Sequence, residues 1–149
     1  MSFPIGPLIE FGLKLLPFLK RKKRKPLVLV VDDSRADMEL IRSALIRCGC
    51  DVMAAYNGKD SLEILHREKV ALLWVDLNMP GQGGLTTIAE VRPSFPHLPI
   101  VLCAGSFGAI RCDEIAGQAT VLVKKPLAGF YALCDAVLTQ VGLIPKPNE

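Results

Sequence analysis

The sequence predicts an α/β fold, a doubly wound parallel sheet with helices on both faces, in residues 26–142. Short continuous apolar runs recur along this part of the chain, and each is bounded by turn-forming residues, as in strands that are buried on both faces. Segments with helical apolar periodicity separate the runs, so that strand and helix alternate five times. This alternation predicts a parallel sheet, because the crossovers that join parallel strands carry helices.

The five predicted strands are apolar runs that end at a turn or at a charged residue. They cover Leu27–Val31, Asp51–Ala55, Ala71–Asp76, Ile100–Cys103 and Ala119–Val123. The second run is weakly patterned, so we expect it at an edge of the sheet. The third run contains Trp74, which we expect in the core.

Five helices are expected to follow the strands. They cover about residues 35–48, 59–66, 84–92, 105–116 and 127–141. Ser34 can cap the first helix by accepting a hydrogen bond from a free backbone N–H, and a turn at Asn57-Gly58 precedes the second. The side chains expected to face the core from these two helices are Met38, Ile41, Leu45, Ile46, Leu62 and Leu65. The fourth helix has low propensity because of its glycines.

The charge is divided unevenly along the chain and argues against a nucleic-acid partner. Seven of the 18 Lys and Arg residues, but only one of the 15 Asp and Glu residues, lie in residues 1–25, so this segment carries +6 and the rest carries −3. A nucleic-acid-binding domain would spread its basic residues over a folded face. The five Cys residues form no CxxC pair, which is typical of reduced thiols in a cytoplasmic protein.

Residues 1–25 form an N-terminal extension for which two roles remain open. An apolar segment over residues 3–19 contains three prolines and is followed by six consecutive cations at residues 20–25. It is shorter than the roughly 20 residues of a membrane-spanning helix, and its cations follow the apolar part, unlike those of a secretory signal. One role is a peripheral anchor on the inner face of the cytoplasmic membrane, whose anionic lipids attract cations. The other is docking on a partner protein or on the folded body.

Charged residues end three of the predicted strands and are expected to meet at one site. In a flavodoxin-like strand order, 2-1-3-4-5, the first and third strands are neighbours at the switch point, which brings Asp32, Asp33 and Asp76 together. Three carboxylates this close repel one another, by about 4 kcal/mol per pair at about 4 Å and a dielectric near 20. A hard divalent cation such as Mg²⁺ would offset the repulsion. A carboxylate can attack a phosphoryl group, whose oxygens a Lys at the end of the fifth strand would neutralise.

Three motifs, in this order and spacing, resemble those of the receiver domain of two-component response regulators. They are residues 28–34 with the Asp32-Asp33 pair, residues 75–80 with Gly84, and Lys125-Pro126. The resemblance extends over about residues 27–142 and implies that Asp76 is the phosphoacceptor. The residues that it implies for Mg²⁺ binding are Asp32, Asp33, Asp76 and, through its backbone carbonyl, Asn78. It implies that Lys125 contacts the phosphoryl oxygens, with Lys124 as the alternative.

The sequence departs from the family pattern where phosphorylation is normally converted into a conformational change. The family has a Thr or Ser at the end of the fourth strand, and this chain has Ala104 there, with Ser106 two residues later. The aromatic residue usual in the fifth strand is replaced by Leu122 or Val121, and the usual Asp before the glycine of the second motif is Gly83. The loss of a hydrogen bond to a charged group is worth roughly 1.5–3 kcal/mol.

The leading hypothesis is a stand-alone receiver that accepts a phosphoryl group from a histidine kinase or a histidine phosphotransfer protein. Residues 143–149 are expected to form a tail and no output domain, so that the response would pass to a downstream protein target by contact or by phosphoryl relay. Such a protein is not an enzyme beyond self-phosphorylation and self-dephosphorylation. The alternative is an interaction module with the receiver fold that works without phosphorylation. A phosphatase of the haloacid dehalogenase type is disfavoured, because Asn78 stands where its general acid would be.

Overall fold

The computed structural model describes residues 23–108, 118–125 and 129–146. Three predicted features lie wholly or partly outside these ranges. They are nearly all of the N-terminal extension, most of the helix predicted over residues 105–116, and the beginning of the helix predicted over residues 127–141. The five predicted strands lie within them.

Five strands form one parallel sheet in the predicted order, β2-β1-β3-β4-β5. They are β1 (Leu27–Val31), β2 (Asp51–Ala55), β3 (Leu72–Asp76), β4 (Ile100–Ala104) and β5 (Val121–Lys124). All four neighbouring pairs are parallel. β2 lies at an edge, as its weak apolar pattern predicts, whereas β3 and β4 are buried over their whole length.

β5 begins two residues later than the sequence predicts, and Thr120 supplies the physical reason. The Thr120 backbone N–H donates to the Ile100 carbonyl at 2.7 Å. The Thr120 hydroxyl, rather than a backbone carbonyl, accepts from the Ile100 N–H at 3.0 Å. The Thr120 side chain thus replaces a backbone acceptor for the Ile100 N–H. Regular backbone pairing between β4 and β5 therefore starts at Val121.

Four helices are described, and they cover both faces of the sheet. They are α1 (Arg35–Arg47), α2 (Gly58–Arg67), α3 (Gly84–Val91) and α4 (Phe130–Gln140). Ser34 caps α1 as predicted, because its hydroxyl accepts from the Asp37 N–H. Asn57 caps α2 by accepting from the Asp60 N–H at 2.8 Å. The predicted turn at Asn57-Gly58 is therefore the first turn of this helix.

One predicted core residue of α1 is wrong. Met38, Ile41 and Leu45 are buried as predicted, but Ile46 is 48% exposed and Ala44 is buried in its place. Successive helical residues are about 100° apart, so a stripe centred between Ala44 and Leu45 leaves Ile46 beyond its edge. In α2, Leu65 is buried as predicted and Leu62 is half-buried.

Alternate residues of each inner strand enter two separate cores, one on each face of the sheet. Trp74 belongs to the core under α1 and α4, where it is fully buried and meets the Phe130 ring edge-on at 5.7 Å. Its neighbour Val75 enters the core under α2 and α3. The cores hold the strands in register, so the residues that follow β1 and β3 meet at the carboxyl edge of the sheet.

Among the helices that are described, none combines the length and the apolar character that crossing a membrane requires.

Candidate functional site

Asp32, Asp33 and Asp76 meet at the carboxyl edge, where the strand order reverses. β1 and β3 are neighbours, and Val31 pairs with Val75, so Asp32 and Asp76 leave the sheet side by side. One carboxylate oxygen from each of the three residues lies within 4.8 Å of the others. Ligands bind at such switch points in open parallel sheets, and the three oxygens are close enough to share one cation.

The carboxylates of Asp32 and Asp76 are nearly inaccessible to solvent, whereas Asp33 is exposed. Burial raises the pKa of the Asp32 carboxyl above its usual value, and the Ser34 N–H at 2.9 Å and the Lys125 ammonium oppose this shift. Burial also raises the pKa of Asp76, and the negative charge of Asp32 adds to the increase. The site therefore holds more negative charge than its environment favours, and it would gain stability from a bound cation.

Lys125 brings one positive charge to the carboxylates. Its ammonium lies 3.2 Å from Asp32 Oδ2 and 3.5 Å from Asp76 Oδ1. Burial lowers the pKa of Lys125, but its hydrogen bond with Asp37 and the charges of Asp32 and Asp76 raise the pKa further, to a value above its usual range. Lys125 is therefore a cation at neutral pH, placed 3.5 Å from the Asp76 carboxylate.

The structure separates the two lysines that the sequence left as alternatives. Lys124 is the last residue of β5, pairs with Ala104 and has an exposed side chain. Lys125 is the next residue, and its N–H donates to the Ala104 carbonyl at 2.7 Å, which anchors its backbone at the end of β4. Only the Lys125 side chain points towards the three carboxylates.

The loop after β3 turns sharply back under the site. The Leu77 N–H donates to Cys103 of β4 at 2.8 Å, and the Leu77 carbonyl accepts from the Gly84 N–H at 2.9 Å. A side chain at Gly84 would place its Cβ 2.4 Å from the Asp76 carbonyl oxygen, so this close approach requires glycine. Asn78 is exposed in the same loop, two residues after Asp76.

At the two positions where the resemblance implies a hydroxyl and an aromatic ring, the chain has Ala104 and Leu122. Ala104 is fully buried at the end of β4. Ser106 is exposed, and its hydroxyl accepts from the Gly108 N–H at 3.1 Å. Leu122 is 46% exposed on β5. The Ser106 hydroxyl is thus engaged within its own loop, and the Ala104 side chain offers no hydrogen-bond donor.

Asp37 belongs to the site, although sequence reasoning did not select it. Its carboxylate oxygen lies 2.6 Å from the Lys125 ammonium, nearer than that of Asp32 or Asp76. Asp37 lies in the first turn of α1, where its N–H donates to the Ser34 hydroxyl at 3.3 Å. Its position in that turn, directly after the Asp32-Asp33 pair, is the signal that could have indicated its proximity.

The chain is similar in sequence to known response regulators and to a sensor kinase. The family model for the response regulator receiver domain matches residues 28–129. The response regulator FleR of Pseudomonas aeruginosa is 35% identical over 126 residues, which are 82% of this chain and 26% of FleR. The autoinducer 1 sensor kinase/phosphatase LuxN of Vibrio campbellii is 27% identical over 113 residues, 76% of this chain and 13% of LuxN. The chain thus spans about a quarter or less of these relatives.

Solved structures share the fold over most of their length. The chemotaxis protein CheY4 of Vibrio cholerae superposes with a TM-score of 0.71 at 25% identity, covering 78% of this chain and 98% of CheY4. A response regulator receiver protein from Pseudomonas putida gives 0.67 at 26% identity, covering 75% and 97%. TrrA of Thermotoga maritima, solved in complex with Mg²⁺-BeF, gives 0.66 at 24% identity, covering 76% and 99%.

Proposed function

Because this chain belongs to the family of response regulator receiver domains, we propose that it is a phosphoacceptor of a two-component phosphorelay, phosphorylated on Asp76. The observation that carries the proposal is the convergence of Asp32, Asp33, Asp76 and Lys125 at one edge of the sheet. Receiver domains are signalling modules rather than classical enzymes, so the only activities proposed here are self-phosphorylation and self-dephosphorylation.

Asp76 is proposed as the nucleophile. One of its carboxylate oxygens attacks the phosphorus of a phosphohistidine, the P–N bond breaks, and the imidazole of the donor leaves with the bonding electrons. The product is a mixed anhydride between Asp76 and phosphate. The attacking carboxylate must be ionised, and Lys125 at 3.5 Å favours the ionised form.

The carboxylates fit a divalent cation, and Mg²⁺ is proposed because every available donor is a hard oxygen. The residues that would hold it are Asp32, Asp33, Asp76 and the backbone carbonyl of Asn78. Mg²⁺ prefers oxygen ligands and takes one or two carboxylates together with phosphate oxygens. When bound, the ion would neutralise charge on the transferring phosphoryl group. Lys125 adds a second positive charge at the same place.

A second candidate function is supported by Ala104. A fully buried alanine cannot donate a hydrogen bond to a phosphoryl group, so phosphorylation would lose one of its usual links to the surface. In this alternative, the chain binds its partner through the receiver fold whether or not Asp76 is phosphorylated. Replacing Asp76 with Ala separates the two candidates, since partner binding that is unchanged by the substitution would favour the alternative.

The proposed partners are a histidine kinase or phosphotransfer protein and a downstream protein target, with no nucleic acid. We further propose that the protein is cytoplasmic and that residues 1–25 hold it at the inner face of the membrane. Lys23 and Lys25, the described end of the basic run, are exposed and available to anionic headgroups. Deletion of residues 1–25 should abolish binding to vesicles that contain anionic lipid. Retention of that binding would remove the membrane proposal.

The phosphoacceptor proposal is tested by intact mass after incubation with Mg²⁺ and acetyl phosphate. We expect one added phosphoryl group that is absent without Mg²⁺ and absent from Asp76→Asn. Asp51→Asn is the matched control, because Asp51 is an exposed aspartate at the opposite end of the strands. Loss of labelling in both variants, or labelling of Asp76→Asn, would contradict the proposal.

A further inference from the structure

Lys125 is held by a carboxylate that lies outside the three-aspartate cluster. Its ammonium is 2.6 Å from Asp37, 3.2 Å from Asp32 and 3.5 Å from Asp76. The contacts with Asp37 and Asp32 are hydrogen bonds, whereas the contact with Asp76 is an ion pair only. The shortest of the three contacts of the Lys125 ammonium is therefore with Asp37, a residue of α1.

We propose that Asp37 is a positioning residue that competes with phosphorylated Asp76 for Lys125 and so weakens the phosphorylated state. This inference rests on the proposed function of Asp76. An ammonium group has three N–H donors, and Lys125 already donates to Asp37 and to Asp32. A phosphoryl group on Asp76 brings further strong acceptors to the same cation. The contact between Asp37 and Lys125 weakens when the phosphoryl group draws on Lys125. This contact therefore stabilises the unphosphorylated protein more than the phosphorylated protein.

Among the described residues, Lys125 is the partner of the Asp37 carboxylate, which suits Asp37 to this competition. In the part of the chain that is described, that carboxylate makes no other hydrogen bond or ion pair. Its side chain is 34% exposed, so water can take the place of Lys125 when the cation moves. The backbone of Asp37 stays fixed, because its N–H donates to the Ser34 hydroxyl that caps α1. Removal of the charge should therefore act through Lys125 rather than through the fold.

Binding of beryllofluoride, a phosphoryl mimic, tests the competition without requiring turnover. The apparent affinity is measured with Mg²⁺ present, by calorimetry or by the fluorescence of Trp74, which lies two residues before Asp76 in β3. Asp37→Asn should bind about three- to tenfold more tightly than the unsubstituted protein, the range expected for a partly exposed charged pair. Asp37→Glu, which restores the charge, should return the affinity towards that of the unsubstituted protein.

Two controls separate competition for Lys125 from a general effect of charge. In a Lys125→Met background, Asp37→Asn should leave the affinity unchanged, because the shared cation is gone. Glu39→Gln removes an equal charge from the same helix, where Glu39 pairs with Arg42 at 3.7 Å on an exposed surface, and it should change nothing.

Each other outcome overturns the inference. Unchanged or weaker binding by Asp37→Asn would mean that Asp37 does not compete with the mimic. An equal gain in the Lys125→Met background or in Glu39→Gln would assign the effect to net charge. If the unsubstituted protein binds no beryllofluoride and accepts no phosphoryl group, the proposed function of Asp76 fails, and the inference fails with it. Normal labelling of Asp76 with no effect of Asp37→Asn rejects the inference alone.

Discussion

A side chain at position 84 would collide with the backbone at the end of β3. Replacing Gly84 therefore tests the geometry beneath Asp76. An alanine Cβ at this position would lie 2.4 Å from the Asp76 carbonyl oxygen, 2.8 Å from the Leu77 Cα and 3.0 Å from the Asp76 carbonyl carbon. All three are backbone atoms at the end of β3, so no side-chain rotation can relieve the contacts. Gly84→Ala must therefore move the start of α3 away from the strand.

The distances set the size of the effect. Real Cβ contacts are essentially never shorter than 3.0 Å, so α3 and the end of β3 must separate by at least about 0.6 Å. Overpacking in a well-packed region typically costs about 1–3 kcal/mol. Because only backbone can yield here, we expect the free energy of unfolding to fall by about 2–3 kcal/mol.

Urea denaturation of Gly84→Ala and Gly105→Ala measures this cost. Gly105 has nothing within 4 Å of its hypothetical Cβ, and its backbone is not left-handed, so alanine there should be neutral or stabilising by up to about 1 kcal/mol. Both variants restrict the unfolded chain equally, so their difference isolates the clash. A loss below about 0.5 kcal/mol for Gly84→Ala would refute the close approach. If the loss is found, slower labelling by acetyl phosphate should accompany it, because the Asp76 backbone is displaced.

Three further predictions address the sensing position, the carboxylates and a helix cap. Ala104→Thr should bind beryllofluoride at least about tenfold more tightly than the isosteric Ala104→Val, because a hydroxyl can donate to a charged group; equal affinities would show that the hydroxyl does not reach the mimic. Folding raises the pKa values of Asp32 and Asp76 above the usual value of 3.8. Between pH 3.8 and the raised pKa values, the native protein therefore binds protons that the unfolded chain has lost. The free energy of unfolding should fall as the pH rises through this window. Urea titrations from about pH 4 to pH 7 should show a shallower fall in Asp76→Asn, and an identical slope would contradict the assignment. Asn57→Ala should lower the free energy of unfolding by about 1 kcal/mol, because it removes the N-cap of α2. If thermal and urea unfolding show no change, the 2.8 Å hydrogen bond from the Asp60 N–H to Asn57 contributes nothing to stability.

The sheet could be predicted from sequence because its inner strands, β1, β3 and β4, are buried on both faces. β3 and β4 are continuous apolar runs, and such runs leave few alternatives for a short segment between helices. The meeting of Asp32 with Asp76 followed from strand order alone, since neighbouring parallel strands end at the same edge. Apolar periodicity was less decisive on α1, where Ile46 is as apolar as Leu45 but lies beyond the buried stripe.

The sequence does not predict side-chain contacts between residues that are far apart in the chain and meet only in the folded protein. Lys124 and Lys125 are adjacent at the end of a strand that is exposed at alternate positions, so pattern alone did not separate them. Asp37 is 88 residues from Lys125 in the chain. Their contact exists because α1 begins, and β5 ends, at the same carboxyl edge of the parallel sheet. The sequence shows that Asp37 is acidic and early in its helix, but it does not show which cation the carboxylate meets.

The site of modification is the most direct test that Asp76 is the phosphoacceptor. After incubation with Mg²⁺ and acetyl phosphate, borohydride reduces an acyl phosphate to an alcohol and converts the modified aspartate into homoserine. Peptide sequencing by mass spectrometry then locates that residue. The account predicts homoserine at position 76 and at neither Asp32 nor Asp33, with none in samples lacking Mg²⁺. Homoserine at Asp32, Asp33 or Asp37, or its absence from position 76 despite labelling of the intact protein, would contradict the account.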